Sequence, residues 1–240
     1  RSTSKGNRLK YKIMKVAILL LTQNRHDLTQ RVINHNFYNS GYDADCFLID
    51  NGSDTLRLFN YPFKDYNYSK EKRGIAAGVN AGLRMTENYD AVCLLANDIL
   101  LPENWLAKFV LYAQQIENTG IIGIHCVETL PPLVDGIHKV HTPFGDNFIT
   151  RKLIDTIGGY DEAYDPYGMQ DADYGERATI TGFTNYYLPD MRSEHIGHDV
   201  GNGTEYRRMK DESLARAQSV WDKYQDIYHN QKNIRCEYFA

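Results

Sequence analysis

Leu94-Leu95-Ala96-Asn97-Asp98-Ile99-Leu100-Leu101-Pro102 is the stretch that decides the fold. It follows an apolar run from Ala91 to Leu95 and breaks at Asn97 and Asp98 before a proline, which predicts a buried strand followed by a helix opened by Pro102. A carboxylate directly behind two leucines is costly to bury without a partner, water or a metal ion. Open α/β sheets bind ligands outside the carboxyl ends of their strands, and Asp98 falls at such a place. A solvated turn Asp, or a helix-start residue ahead of Pro102 and Glu103, fits this stretch equally well when it is taken alone.

Working outward, the same design recurs. Val16 to Leu21 is an apolar strand feeding a polar loop of Thr22, Gln23, Asn24 and Arg25. Leu28, Val32, Ile33 and Phe37 form a helical stripe ended by Gly41. Cys46 to Ile49 is a second strand closed by Asp50, Asn51, Gly52 and Ser53. Glycines 74, 78 and 82 fall on one face of the next helix, a spacing that is wrong for a dinucleotide fingerprint and predicts close backbone approach, to the sheet or to a ligand. Leu106, Phe109, Val110, Ala113 and Ile116 mark a further amphipathic helix.

Beyond the strand Ile121 to Ile124 the α/β rhythm breaks. Residues 125–143 hold three prolines and three histidines without periodicity, which predicts a long loop; the irregular histidine spacing argues for surface residues rather than a metal cluster. Phe144 to Thr150 reads as a strand, Arg151 to Ile157 as a helix ended by Gly158 and Gly159, and Gln170 to Thr181 as a helix stopped by Gly182. Phe183 to Leu188 is a strand, residues 192–203 a mobile polar segment, and Glu205 to His229 a closing helix with Leu214, Ala217, Trp221, Tyr224 and Tyr228 along one stripe.

A chain of 240 residues, 42% hydrophobic and 24% charged, can bury a full core. Net charge −4 and pI near 6.1 argue against nucleic-acid binding, which needs clustered Lys and Arg. Arg1, Lys5, Arg8, Lys10, Lys12 and Lys15 form the one basic run. It reads as a solvated arm over 1–13, a linker or an appended remnant, with Met14 a candidate start and weak membrane-surface association the alternative. The apolar run from Val16 is too short to span a bilayer. Cys46, Cys93, Cys126 and Cys236 lack metal-ligand spacing, so the reading is free thiols and a cytoplasmic setting.

Together these motifs resemble a glycosyltransferase of the GT-A fold, closest in pattern to family 2, with a second half similar to galactosyl and N-acetylgalactosaminyl transferases. The resemblance covers Met14 to Gly201. It implies an α/β domain over 14–240 with a Rossmann-like mixed sheet: a nucleotide-sugar half (14–124), an acceptor half (125–204) and a C-terminal helix and tail (205–240). The opening Thr-aromatic-Asn-Arg motif is Thr22, Gln23, Asn24 and Arg25, without the aromatic. Asp-Asn-Gly-Ser is Asp50 to Ser53, where the resemblance places a base contact at Asp50, and the glycine-rich helix carries Asn80 after Arg73 and Gly74. The metal motif falls on Ala96, Asn97 and Asp98, a degenerate form in which Asp98 is the convincing ligand. Gly158 to Glu162 matches Gly-Gly-aromatic-Asp-Glu, and the Glu-Asp pair is Gln170 and Asp171, leaving Asp171 as candidate base. A His after Pro189 and Asp190 is His195, with His198 competing.

The chemistry implied is transfer of a sugar from a nucleoside diphosphate donor, with a tilt to uridine, to a glycan or other acceptor hydroxyl, by inversion. Mn²⁺ or Mg²⁺ would neutralise the leaving diphosphate, held by Asp98 and His195. Donor contacts would come from Thr22, Asn24, Arg25, Asp50, Arg73, Gly74, Asn80 and Asn97. Asp173 and Arg177, four apart, suit an intrahelical pair. Tyr160, Tyr164, Tyr167 and Tyr174 suit either stacking on sugars or packing. The rivals are a non-catalytic nucleotide-sugar or glycan-binding module, suggested by Ala96 and Gln170, and a sugar nucleotidyltransferase, which would need a basic phosphate loop.

Overall fold

The strand β1 (Val16–Thr22) is apolar on both faces, so it can only sit inside a sheet covered on both sides. The computed structural model, which describes residues 13–126, 129–197 and 205–230, places it there. After α1 (His26–Val32) and a π-helical turn over Ile33–Phe37, β2 (Asp45–Asp50) pairs parallel to β1. Then β3 (Asp65–Tyr68) pairs parallel to β2, and β4 (Ala91–Leu95), reached through α2 (Ile75–Met85), pairs parallel to the other side of β1.

The second half continues the same sheet. After β5 (Ile99–Leu100), α3 (Trp105–Gln115) and β6 (Thr119–His125), the chain forms β7 (His138–Lys139) and β8 (Asn147–Thr150). Next come α4 (Arg151–Ile157), a 3₁₀ turn over Glu162–Tyr164, α5 (Gln170–Ile180), β9 (Thr184–Arg192), β10 (Glu194–His195) and α6 (Glu205–Asn230). The eight-stranded order is β3-β2-β1-β4-β8-β6-β9-β7, with β8 antiparallel to both β4 and β6 and with β6 parallel to β9; β5 and β10 form a separate antiparallel pair.

Alternation along the central strands builds two cores. Val16, Ile18 and Leu20 pack with Val32, Ile33, Phe37, Trp105 and Phe109. On the opposite face Ala17 and Leu19 pack with Val79, Leu83, Leu153, Ile157, Tyr160 and Tyr174. The crossover helices α2 and α5 precede strands parallel to β1 and β6, so both helices begin at the sheet edge where β1, β2, β4 and β6 end. That edge collects Thr22, Asp50, Asn97, Asp98 and the start of α5.

Several expectations need correction. Pro102 does not open a helix: α3 starts at Trp105 after Asn104 in the left-handed region. Ile99 and Leu100 are held as a strand ahead of the turn at Glu103 and Asn104, because they pair with Glu194 and His195 and because the buried Asn36 amide donates to Ile99 O (2.9 Å) and accepts from Leu101 N (2.9 Å). The strand expected from Phe144 starts only at Asn147, since Gly145 takes a positive φ of 86° and Phe144 N donates to Tyr187 Oη. Part of the segment expected to be mobile is the ordered β10. Residues 1–12, His198, the glycines at 201 and 203, and Cys236 lie outside the described residues, as does the side chain of Tyr228.

The glycine stripe in α2 serves protein packing. A Cβ at Gly82 would collide with Leu19, at Gly78 with the Asn51 amide, and at Gly74 with the Asp165 carboxylate. Closing the structure, α6 lays the fully buried Ala217 and the half-exposed Leu214 against Gly168, and Lys210 sits over the Tyr167 ring at 4.4 Å.

Candidate active site

The first two polar strand ends are laced together. Asn51 N donates to Thr22 O (2.9 Å), Gln23 Nε2 to Asn51 O (2.9 Å) and Asn24 N to Ser53 Oγ (2.7 Å). The Asn24 amide exchanges two further bonds with Asp54. Gln23, standing where the resemblance expects an aromatic, therefore has a structural task. Asn24 and Arg25 are both left-handed, with φ of 55° and 50°, which turns the chain sharply into α1 and leaves the Arg25 side chain exposed at the rim.

Asp50 is almost fully buried, and its Oδ1 accepts from Gly52 N (3.0 Å) and Ser53 N (2.7 Å), which fixes the turn after β2 and leaves Oδ2 outside those bonds. Arg73 Nη2 donates to Asp50 O (3.2 Å) and Asn67 Oδ1 (2.8 Å), so it clamps the ends of β2 and β3. Asn97 donates to both Thr22 Oγ1 (3.2 Å) and Thr29 Oγ1 (3.0 Å), tying the turn after β4 to β1 and α1. Thr29 was not singled out in the sequence, because a lone Thr in a helical stripe carries no signal.

Two of the residues named as donor contacts act from within the protein. Asn80 is fully buried; its Nδ2 donates to Tyr160 O and Glu162 Oε1 (both 2.9 Å) and its Oδ1 accepts from Tyr160 N (2.8 Å). It reaches the site only through the loop it fastens. Gly74 gives room to Asp165, whose carboxylate accepts from Ala76 N (2.8 Å) and Ala77 N (3.0 Å). The positive end of α2 is therefore satisfied internally rather than offered to a phosphate.

At the end of β4 the structure brings together two residues 97 positions apart in sequence: His195 Nε2 lies 3.4 Å from Asp98 Oδ2, with side chains 28% and 26% exposed. The β5–β10 ladder makes this contact, with Ile196 N donating to Asp98 O (2.8 Å). Only glycine fits at 197, because a Cβ there would collide with the Asp98 carboxylate. Behind them, the buried Asp146 accepts from Ala96 N (2.8 Å) through Oδ1, and its Oδ2 is buried without a hydrogen-bond partner. Burial, reinforced by the neighbouring Asp98 charge, pushes the Asp146 carboxyl well above the usual range. Asp146 sits in what the sequence presents as the first residues of a strand, so nothing flagged it.

These groups suit a divalent cation. A carboxylate oxygen and an imidazole nitrogen approach within 3.4 Å, and the buried Asp146, with one oxygen lacking a hydrogen-bond partner, is fastened to the same turn at Ala96. Among the described residues no group of three or more His, Cys, Asp or Glu is arranged to hold a metal, so further ligands would be phosphates and waters. A cavity of about 480 Å³ opens beside β5 and β10, with His195, Glu194, Arg192, His35 and Cys126 in its wall.

Asp171 stands in the first turn of α5, at the same sheet edge, with partial solvent access. The protein packed around it raises its carboxyl above the ordinary range to about 6. Its neighbour Gln170 is buried, with Oε1 lacking a hydrogen-bond partner. Asp173 and Arg177 form a buried pair at 2.8 Å, and Arg177 also donates to Ile157 O and Gly159 O (both 2.9 Å). Tyr160 and Tyr174 stack on each other at 4.2 Å and, with Tyr164, are buried, so these three pack the core; Tyr167 retains access.

A mixed sheet with polar strand ends gathered at one edge, where an acidic helix start also lies, defines a nucleotide-diphospho-sugar transferase architecture, the GT-A fold. Residues 17–163 match the model of glycosyl transferase family 2, and the chain belongs to that family. Similar solved structures agree on the fold. GalNAc-T7 with UDP, GalNAc and Mn²⁺ aligns with TM-score 0.69 and 14% identity over 91% of this chain and 50% of that one. The mannosyltransferase PcManGT from Pyrobaculum calidifontis, in complex with GDP-Man and Mn²⁺, gives 0.65 and 16% over 91% and 69%. The catalytic domain of Drosophila β1,4-galactosyltransferase 7, in complex with xylobiose, gives 0.53 and 16% over 74% and 66%. This chain thus spans half the length of GalNAc-T7. No curated protein matches the sequence. No described helix is long and apolar enough to cross a membrane.

Proposed function

We propose that the protein transfers a hexosyl group from a nucleoside diphosphate sugar, with UDP the favoured carrier, to an acceptor hydroxyl with inversion. The observation that carries this reading is the Asp98–His195 juxtaposition at the end of β4, on the sheet edge where α5 begins with Asp171 in its first turn. A divalent cation held by Asp98 and His195, Mn²⁺ given the imidazole or Mg²⁺, would neutralise charge building on the leaving diphosphate. The rim of Thr22, Asn24, Arg25, Asp50 and Asn97 would seat the nucleotide, with Arg73, Gly74 and Asn80 holding that rim in place. Asp171 would accept the proton of the attacking hydroxyl. A carboxyl near 6 is a better base than a solvated Asp and is still ionised at neutral pH. The family resemblance and a single candidate base favour direct displacement. The buried free thiols of Cys46 and Cys93 suit a reducing, cytoplasmic setting.

The test is nucleoside diphosphate release from a panel of nucleotide sugars with Mn²⁺, with and without chelator, for the wild type, Asp98→Ala and Asp171→Ala. Release from one donor, abolished by chelator and by both substitutions, is expected. Donor binding without release under any acceptor would favour a binding module, and absence of both would remove the reading.

A further inference from the structure

Ala96 stands where the family motif places its first acidic or amide residue, and a methyl group cannot serve a cation. The space behind it is not apolar. Asn147 pairs with Leu94, so Asp146, one residue earlier in an antiparallel strand, lies level with the end of β4 and meets Ala96 N–H at 2.8 Å. Its side chain is charged chemistry in an expensive place. The residue is 2% exposed, no described Lys or Arg pairs with it, and Oδ2 is buried without a partner. Satisfying the Ala96 amide alone requires only a neutral acceptor, whereas a carboxyl group brings a second, ionisable oxygen that the described protein leaves buried without a hydrogen-bond partner.

We propose that Asp146 is the second carboxylate of the cation site, a positioning residue that supplies from behind the β4 turn the negative charge that Ala96 does not. This rests on the donor and cation reading above. Through Oδ1 Asp146 fixes the backbone of the Ala96–Asp98 turn, and through its charge it favours a cation at Asp98 and His195. Such supporting groups typically contribute about 10- to 100-fold in metal affinity.

The experiment is Mn²⁺ binding to the full chain, with and without UDP, by calorimetry and by the electron paramagnetic resonance signal of free Mn²⁺. Asp146→Asn keeps an acceptor for Ala96 N–H and removes the charge. It is expected to melt no lower than the wild type and to bind Mn²⁺ about 10-fold or more weakly. Adding Ala96→Asp to that variant should recover affinity. If Asp146→Asn melts below the assay temperature, Asp146→Ser replaces it as a smaller neutral acceptor. Wild-type affinity in the neutral variant, with binding lost in Asp98→Ala, would overturn the role of Asp146 alone. Absence of Mn²⁺ binding in the wild type, even with UDP, would overturn the cation reading and this inference with it.

Discussion

Replacing Asp171 by Asn should make the protein more stable and nearly inactive, and the two effects should share one pH dependence. The Asp171 carboxyl is raised from 3.8 to about 6 by burial, so the folded state resists its ionisation. Below about pH 4 the group is protonated both folded and unfolded and carries no penalty. As pH rises through about 6 it ionises in the folded protein at the full penalty. Two pH units correspond to roughly 3 kcal/mol, and the partial solvent access of Asp171 reduces this to about 1–2 kcal/mol. Urea unfolding of Asp171→Asn and wild type should therefore coincide near pH 4 and diverge in favour of the variant at pH 8. Wild-type turnover should climb through pH 6 to a plateau, while the variant loses about 100-fold or more in kcat with little change in donor binding. A variant keeping more than a tenth of wild-type kcat, or a rate flat from pH 5 to 7, would remove Asp171 as the base; equal stabilities at pH 8 would remove the burial argument.

Three further outcomes follow from the same contacts. Asn36→Ala leaves Ile99 O and Leu101 N without their partner, at about 1–3 kcal/mol each, so thermal unfolding should drop by about 5–15 °C and Mn²⁺ affinity should fall as the β5–β10 ladder loosens. A melt within about 2 °C of wild type would contradict the role given to Asn36. Asp165→Ala strips the cap from Ala76 N and Ala77 N and should cost about 1–2 kcal/mol by urea unfolding, with Asp165→Asn milder because it keeps an acceptor. Chelator should abolish nucleoside diphosphate release while lowering the melting temperature by no more than a few degrees, and added Mn²⁺ should restore release, because the fold is held by two apolar cores to which Asp98 and His195 do not belong.

The central strands and α4 were legible because burial on both faces forces uninterrupted apolar runs, and their ends show as abrupt polar clusters. The expected and observed bounds of β4 and α4 coincide at Ala91–Leu95 and Arg151–Ile157. Edge and two-residue elements were not legible. Asp65-Tyr66-Asn67-Tyr68 is polar because β3 has a single neighbour and faces solvent, and the two-residue strands β5 and β10 are too short to carry a period. In the site, residues on chain turns were visible as motifs, whereas those acting through hydrogen bonds from inside a helix or strand were not. Asn36 reads as one polar residue in a helical stripe and Asp146 as the edge of a strand, yet one shapes the backbone after Asp98 and the other the backbone before it.

Ala96 and Gln170 are the two positions that, in sequence, argue for a motif that has lost its chemistry. The geometry weighs against that conclusion. A protein with no cation to bind gains nothing from holding Asp98 against His195 over a glycine that admits no side chain, or from burying Asp146 where a neutral acceptor would serve the same amide. It gains nothing either from enclosing Asp171 until its ionisation opposes folding. Burial of the Asp146 and Asp171 carboxyls opposes their ionisation in the isolated chain, and each would be relieved by a step of the proposed reaction: a cation at Asp98 would favour the charged form of Asp146, and a proton from the acceptor would neutralise Asp171. A burial cost that binding and chemistry would release is what separates a working site from a vestigial one, and on the proposed reading the missing acidic position falls to Asp146 instead of marking a loss of function.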